Sequence, residues 1–266
     1  MSTDASTGSV ARGARPASGT VRAASAVRRV RSQAGFEVGT LLRNGEQLLV
    51  SVVLPVIALV GLALTTAPSL GDGRRIDLAV PGILALCVIS SAFTSQAIST
   101  AFDRRYAVLR YLGVTPLGRS GLLTAKVVAT LAVEVVQVVV VGALGLALGW
   151  RPSVVGLVVA VPLLVLGTWA FVALALLLAG TVRAEAVLAA ANLLWVLFLL
   201  AGVVVPRTQL PDAVSGVVAA LPSSALADGL RSALVDGVVN PVAVLVVLAW
   251  AALASVLAAR WFRFDD

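Results

Sequence analysis

From Pro152 to Val182 the chain reads PSVVGLVVAVPLLVLGTWAFVALALLLAGTV, thirty-one residues without a charged side chain. About 20 such residues let a helix cross the hydrocarbon core of a bilayer, whereas buried strands and core helices of soluble domains are usually shorter. The stretch therefore reads as a transmembrane helix with residues to spare. Working outward, the same test finds Val127 to Trp150, with Glu134 as its one charge, and Ala186 to Pro206 on either side. Further out lie Leu78 to Phe102, Gln47 to Ala67 and Gly237 to Ala259. These six windows predict an all-α membrane protein of six transmembrane helices, with spans at about 47–67, 79–100, 127–149, 155–179, 186–206 and 238–259. The fourth window is longer than one span needs, so a tilt or an early end near Pro162 is expected. Pro55 and Pro81 are positions for kinks.

Composition agrees. Hydrophobic residues make up 59% of 266 residues against 12% charged, and the mean hydropathy is +1.02. That is more apolar surface than one soluble core can hide, so the excess faces lipid. The net charge of +7 does not point to nucleic acid, because the basic residues stand singly at the ends of apolar runs. An even number of spans puts both termini on one side. Fifteen basic residues fall on that side (the N-terminal tail, the loops after the second and fourth spans, the C-terminus) and five on the other (Arg74, Arg75, Arg151, Arg207, Arg231). The positive-inside bias makes the termini cytoplasmic and the protein a multi-pass component of the cell membrane.

Absences exclude whole classes of chemistry. There is no His, one Cys (Cys87, inside an apolar run), and no Met beyond Met1. Disulfides, zinc sites, haem ligation and His-dependent triads are excluded within the chain, and no metal site is expected. No GxxxxGK[ST] sequence occurs, so no P-loop ATPase is encoded here.

Between the spans the chain divides as follows. Residues 1–31, rich in Ser, Ala, Gly and Arg, are expected to be a disordered cytoplasmic tail. Residues 32–46 are weakly amphipathic, with Phe36, Val38, Leu41 and Leu42 apolar, and read as an interfacial helix lying on the membrane. The six-span membrane domain covers 47–259, and 260–266 form a short cytoplasmic tail. Residues 207–237 are the odd extracellular stretch: AVSGVVAALPSSALA, between Asp212 and Asp228, is too short to cross and too apolar for an ordinary loop. It reads as a re-entrant or interfacial hairpin at the outer mouth.

The informative internal block is AFDRRYAVLRYLGVTPLGRSGLLTAK, Ala101 to Lys126, charged and aromatic between two hydrophobic spans. Val108, Leu109 and Leu112 fall at helical spacing while Arg104, Arg105 and Arg110 point elsewhere. A short amphipathic helix ending near Gly113 follows. Composition leaves two readings open: docking into a groove of a soluble partner, or arginines anchoring on lipid phosphates.

Three stretches carry a family resemblance: RNGEQLLVSVVLPV (Arg43 to Val56), FDRRYAVLRYLGVTPLGR (Phe102 to Arg119) and LPSSALADGLRSAL (Leu221 to Leu234). Over about residue 34 to the end the chain resembles type-2 ABC transporter permeases, the transmembrane subunits of drug and polysaccharide exporters. The resemblance implies an interfacial N-terminal helix, a cytoplasmic coupling helix between the second and third spans and an extracellular hairpin between the fifth and sixth. It also implies a separate ABC ATP-binding subunit that carries ATP and Mg, and a second permease copy or paralogue. The chain itself would hold no cofactor and no catalytic residue. On this reading Asp103, Arg104, Arg105, Tyr106, Leu109 and Arg110 couple to the ATPase. Ala107 departs from the pattern, since related sequences often carry Gly after the Arg-Arg-Tyr run, which bears on how the coupling helix bends.

Inside the membrane, Glu134 lies roughly 12 Å beyond Lys126 at 1.5 Å per residue. A carboxylate there must face protein or water, and Gln137 shares its helix face. A polar strip along the cargo path or a subunit interface and a structural hydrogen bond between helices both fit. Asn192 in the fifth span poses the same choice. Trp150, Trp250 and Trp261 near span ends read as interface anchors.

Two other functions compete. A proton-coupled secondary transporter would use Glu134, but no matching acid sits in the sixth span. A membrane enzyme or assembly factor would show paired acids or His near a membrane face, and the tight pair Asp265 and Asp266 reads as a solvated tail.

Overall fold

The computed structural model describes residues 25–43, 45–67, 69–70, 73–109, 116–204, 206–207 and 210–262. All regular structure among them is helical. In chain order the helices are α1 (Ala26–Arg43) and α2 (Gly45–Leu64), then α3 (Arg75–Arg105), α4 (Gly118–Ala147) and α5 (Val154–Thr181). They continue as α6 (Ala184–Val203), α7 (Asp212–Ala219), α8 (Pro222–Asp236) and α9 (Pro241–Trp261). Five of them, α3, α4, α5, α6 and α9, are long and apolar enough to cross a membrane, and Ser51–Leu64 of α2 is a shorter apolar helix. The pair α7 and α8 also passes that test as a unit, bent by 93°.

Local chemistry sets several ends. The Ser153 hydroxyl accepts from the Gly156 amide at 2.9 Å and starts α5; the Asn240 side chain accepts from Ala243 at 3.1 Å, with Pro241 in the first turn, and starts α9. Both are the side chains that best satisfy the orphan amides of a helix start. Other ends depart from the apolar windows. α1 begins at Ala26, so residues 26–31 are helical rather than disordered; Ala34 is buried and α1 packs along α4. α4 begins well before Val127, because a helix continues through polar residues that the bilayer would not accept. Residues 101–105 complete α3 and 118–126 open α4, and of the residues between them 106–109, 116 and 117 are described. Gly113, Leu112 and Arg110 lie outside the described residues, as do residues 1–24 and 263–266.

α3 is the central helix, buried from Ala79 to Val88. Its middle turn, Ile89–Ser95, is π-helical. The extra residue in that turn presents Phe93 to Phe171 of α5 and Phe198 of α6, three rings meeting edge to face at centroid distances of 5.5–6.4 Å. α2, α3 and α5 run on through Pro55, Pro81 and Pro162. The sharp break comes instead in α6, where Ala201 (ψ 72°) and Gly202 (φ +84°) leave helical geometry. Gly202 is required there: its φ is left-handed, and a Cβ would lie 2.5 Å from the Ser224 hydroxyl of α8. Trp150 is a correction to the sequence reading. It is buried against Gly145 rather than anchored at a lipid interface, because the chain folds back after Gly149 (φ +92°) and carries the indole under α4.

Candidate functional site

Polar side chains gather at three places along the bundle. The first is the end where α3 leads into α4. Arg104, 6% exposed, donates from Nη1 to the Ala179 carbonyl at 2.7 Å and from Nη2 to the Val182 carbonyl at 2.6 Å. Those carbonyls are left over at the C-terminus of α5, where the helix dipole also favours a cation. Arg105 is exposed and pairs with Glu185 at the start of α6. Tyr106, 69% exposed, stacks on Phe102 at 6.2 Å. Ala107 takes φ +60°, a left-handed turn that a β-carbon resists. The turn leaves Val108 exposed and Leu109 fully buried. Arg104 and Leu109 thus anchor the turn, while Arg105, Tyr106 and Val108 form its outer surface. Arg110 lies outside the described residues.

Directly behind this turn is a node that the sequence reading passed over. Lys126 of α4 is fully buried. Its Nζ reaches Glu37 of α1 at 3.2 Å, the Gln96 side-chain oxygen of α3 at 3.4 Å and Asp103 of α3 at 3.9 Å. Gln96 donates in turn to Thr130 at 3.0 Å, and Gln33 donates to Glu37 at 3.1 Å. Each acceptor of the ammonium therefore belongs to a helix other than α4.

The second place is the middle of the bundle. Glu134, 4% exposed, accepts from Ser91 in the π-turn of α3 at 3.2 Å and from Thr168 of α5 at 2.6 Å. Gln137 is buried and donates to the Ser51 carbonyl of α2 at 2.9 Å, while its own side-chain oxygen has no partner. Lys126, Thr130, Glu134 and Gln137 follow one another at three- and four-residue steps, one buried polar strip along α4 that joins α1, α2, α3 and α5. Asn192 stands apart. It is exposed on α6, the least covered of the five long apolar helices, and donates to its own Leu188 carbonyl at 2.7 Å.

The third place is the opposite end, under the bent pair α7–α8. Arg231 of α8, buried, donates from Nη1 to the Gly202 carbonyl at 2.8 Å and from Nη2 to the Val203 carbonyl, capping the broken end of α6. Asp228 receives Arg231 at 3.3 Å and Arg207 at 2.6 Å. Neither this cluster nor the Lys126 node was anticipated from sequence. The available signals were the one Lys of the chain, and an Asp and Arg three apart inside an otherwise small and apolar stretch.

Among the described residues no three His, Cys, Asp or Glu side chains come together to hold a metal. What the described residues offer is a set of polar contacts between long apolar helices.

A family model described as ABC-2 type transporter matches residues 35–235, from α1 to the end of α8 and well over half of the chain. Among curated proteins, none matches the chain.

Proposed function

Since the chain belongs to the ABC-2 type transporter family and is a multi-pass membrane protein, we propose that it is the permease subunit of an ATP-driven exporter energised by a separate ATP-binding subunit. On this reading α2, α3, α4, α5, α6 and α9 are six spans in the plasma membrane with both termini cytoplasmic. α1 lies along the inner surface, and α7–α8 is a re-entrant hairpin at the outer mouth. The basic residues concentrated on the side of the α3–α4 turn support that orientation. ATP and Mg belong to the partner. The cargo is hydrophobic or amphipathic, in keeping with the apolar walls of the bundle, and a second copy or a paralogue completes the path. Asn192, a polar side chain on the least covered span, is the residue best placed to meet that second copy or the cargo.

The observation that carries the reading is the α3–α4 turn. Its exposed Arg105, Tyr106 and Val108 offer a charged and aromatic surface, and its buried Arg104 and Leu109 fix that surface to the ends of α3 and α5. A docked ATPase pulling on the turn would move helix ends rather than a loose loop, which is what conversion of nucleotide-driven motion into tilting of spans requires. The test is Arg105→Glu combined with Tyr106→Ala. Both positions are exposed, so the permease should fold and insert as before while recovery of the ATP-binding subunit in the purified complex falls. Unchanged recovery would remove this turn as the docking surface.

A further inference from the structure

We propose that Lys126 is a positioning residue, a buried clamp that ties the two ends of the α3–α4 connection to α1 so that the three move as one body. Asp103 stands where the chain leaves α3 and Lys126 near the start of α4, and both meet Glu37 of α1 through the one ammonium. The acceptors are themselves held. Gln96 directs its oxygen to Lys126 because its amide nitrogen is committed to Thr130, and Gln33 fixes Glu37 within α1. A buried ion pair is a poor device for stability, since apolar residues of the same volume do as well, but it does specify a single geometry.

Residue choice points the same way. Nineteen of the twenty basic residues are Arg, and Lys126 is the exception. Here three acceptors on two helices, Glu37 of α1 with Gln96 and Asp103 of α3, meet at a fully buried point. A compact ammonium with three donors fits that geometry, and a planar guanidinium fork does not. The clamp rests on the proposed function only in its consequence: if the turn receives an ATPase, α1 is carried with it.

The experiment uses the full chain in lipid nanodiscs, with Cys87→Ala as background and spin labels at Phe36 on α1 and Val108 on the connection, both exposed. The wild-type background should give one narrow Phe36–Val108 distance. Lys126→Met should lose it, Lys126→Arg should not restore it, and the gentler Glu37→Gln should broaden it while keeping the fold. Equal widths in Glu37→Gln, Lys126→Met and the background would overturn the clamp, as would full restoration by Lys126→Arg. In the complex trapped with vanadate the second label is moved off the docking surface to Ser120, exposed in the first turn of α4, and the Phe36–Ser120 distance should stay fixed while the distance from Phe36 to a label at Leu193 on α6 shifts. A changed Phe36–Ser120 distance there would also overturn the clamp. If no ATP-binding subunit associates at all, the transporter reading fails, yet the nanodisc comparison still decides the clamp.

Discussion

Arg104 and Arg105 are neighbours in sequence with opposite environments, and the difference predicts what each substitution does. Arg104→Gln removes two short charge-assisted hydrogen bonds to the C-terminal carbonyls of α5. Such bonds contribute about 1.5–3 kcal/mol each when buried. Because Val182 ends its helix near the bundle surface, water can re-solvate part of the loss, which brings the expected destabilisation to about 2–4 kcal/mol. Arg105→Gln removes an exposed ion pair to Glu185, worth roughly 0–1 kcal/mol after solvent screening. In a thermal melt of the detergent-purified permease, Arg104→Gln should lower the midpoint by roughly 5–10 °C and Arg105→Gln by little. Arg104→Lys should fall between, since an ammonium does not reproduce the fork that spans two carbonyls. If Arg104→Gln melts with the wild type, Arg104 does not cap α5, and the rigid footing of the α3–α4 turn is wrong.

Three further outcomes follow from single residues. Ala107→Gly should raise stability by about 1 kcal/mol, because φ +60° is unfavourable with a β-carbon, and Ala107→Val should lower it; the same melt checks both. Glu134→Leu should change stability by no more than about 1 kcal/mol, because Ser91 and Thr168 each have a second acceptor in the Cys87 and Leu164 carbonyls at 2.7 and 2.8 Å. Urea titration of the purified protein is the measurement, and a large loss would mean that the carboxylate holds α3, α4 and α5 together. Gly202→Ala should cost about 2 kcal/mol or more, through both its left-handed φ and the Ser224 hydroxyl, and should free the α7–α8 pair to proteolysis. Unchanged protease resistance would show that the break in α6 tolerates a β-carbon.

The membrane itself made the long helices legible. A bilayer demands an uninterrupted apolar stretch of known length, so Pro152 to Val182 announces itself, and the apolar stretch between Asp212 and Asp228 stands out by failing that length. Helix ends were less legible, since a charge-free window marks what lipid tolerates and not where hydrogen bonding stops; α1 and α4 both begin earlier for that reason. The π-turn of α3 contains no Pro and no Gly, and Gly202 is one of 23 glycines, so nothing local flagged either irregularity. Among candidate site residues, Glu134 and Gln137 were visible as costly polar groups in an apolar window. Their partners Ser91, Thr168 and Ser51 were not, because each comes from a different helix. Lys126 was hidden by position: at the edge of a window it reads as a boundary charge, and Glu37 lies 89 residues away in sequence. Arg104 and Arg105 looked alike until the fold gave one of them the end of α5.

We propose that this permease works with a separate ATPase. The direct measurement is purification of the tagged chain from native membranes in mild detergent, with identification of co-purifying proteins and a vanadate-sensitive ATPase assay. The expected result is a stoichiometric ATP-binding subunit and an ATPase activity that fall together when Arg105 and Tyr106 are replaced. A well-folded permease recovered without any ATP-binding protein and without ATPase activity would contradict it.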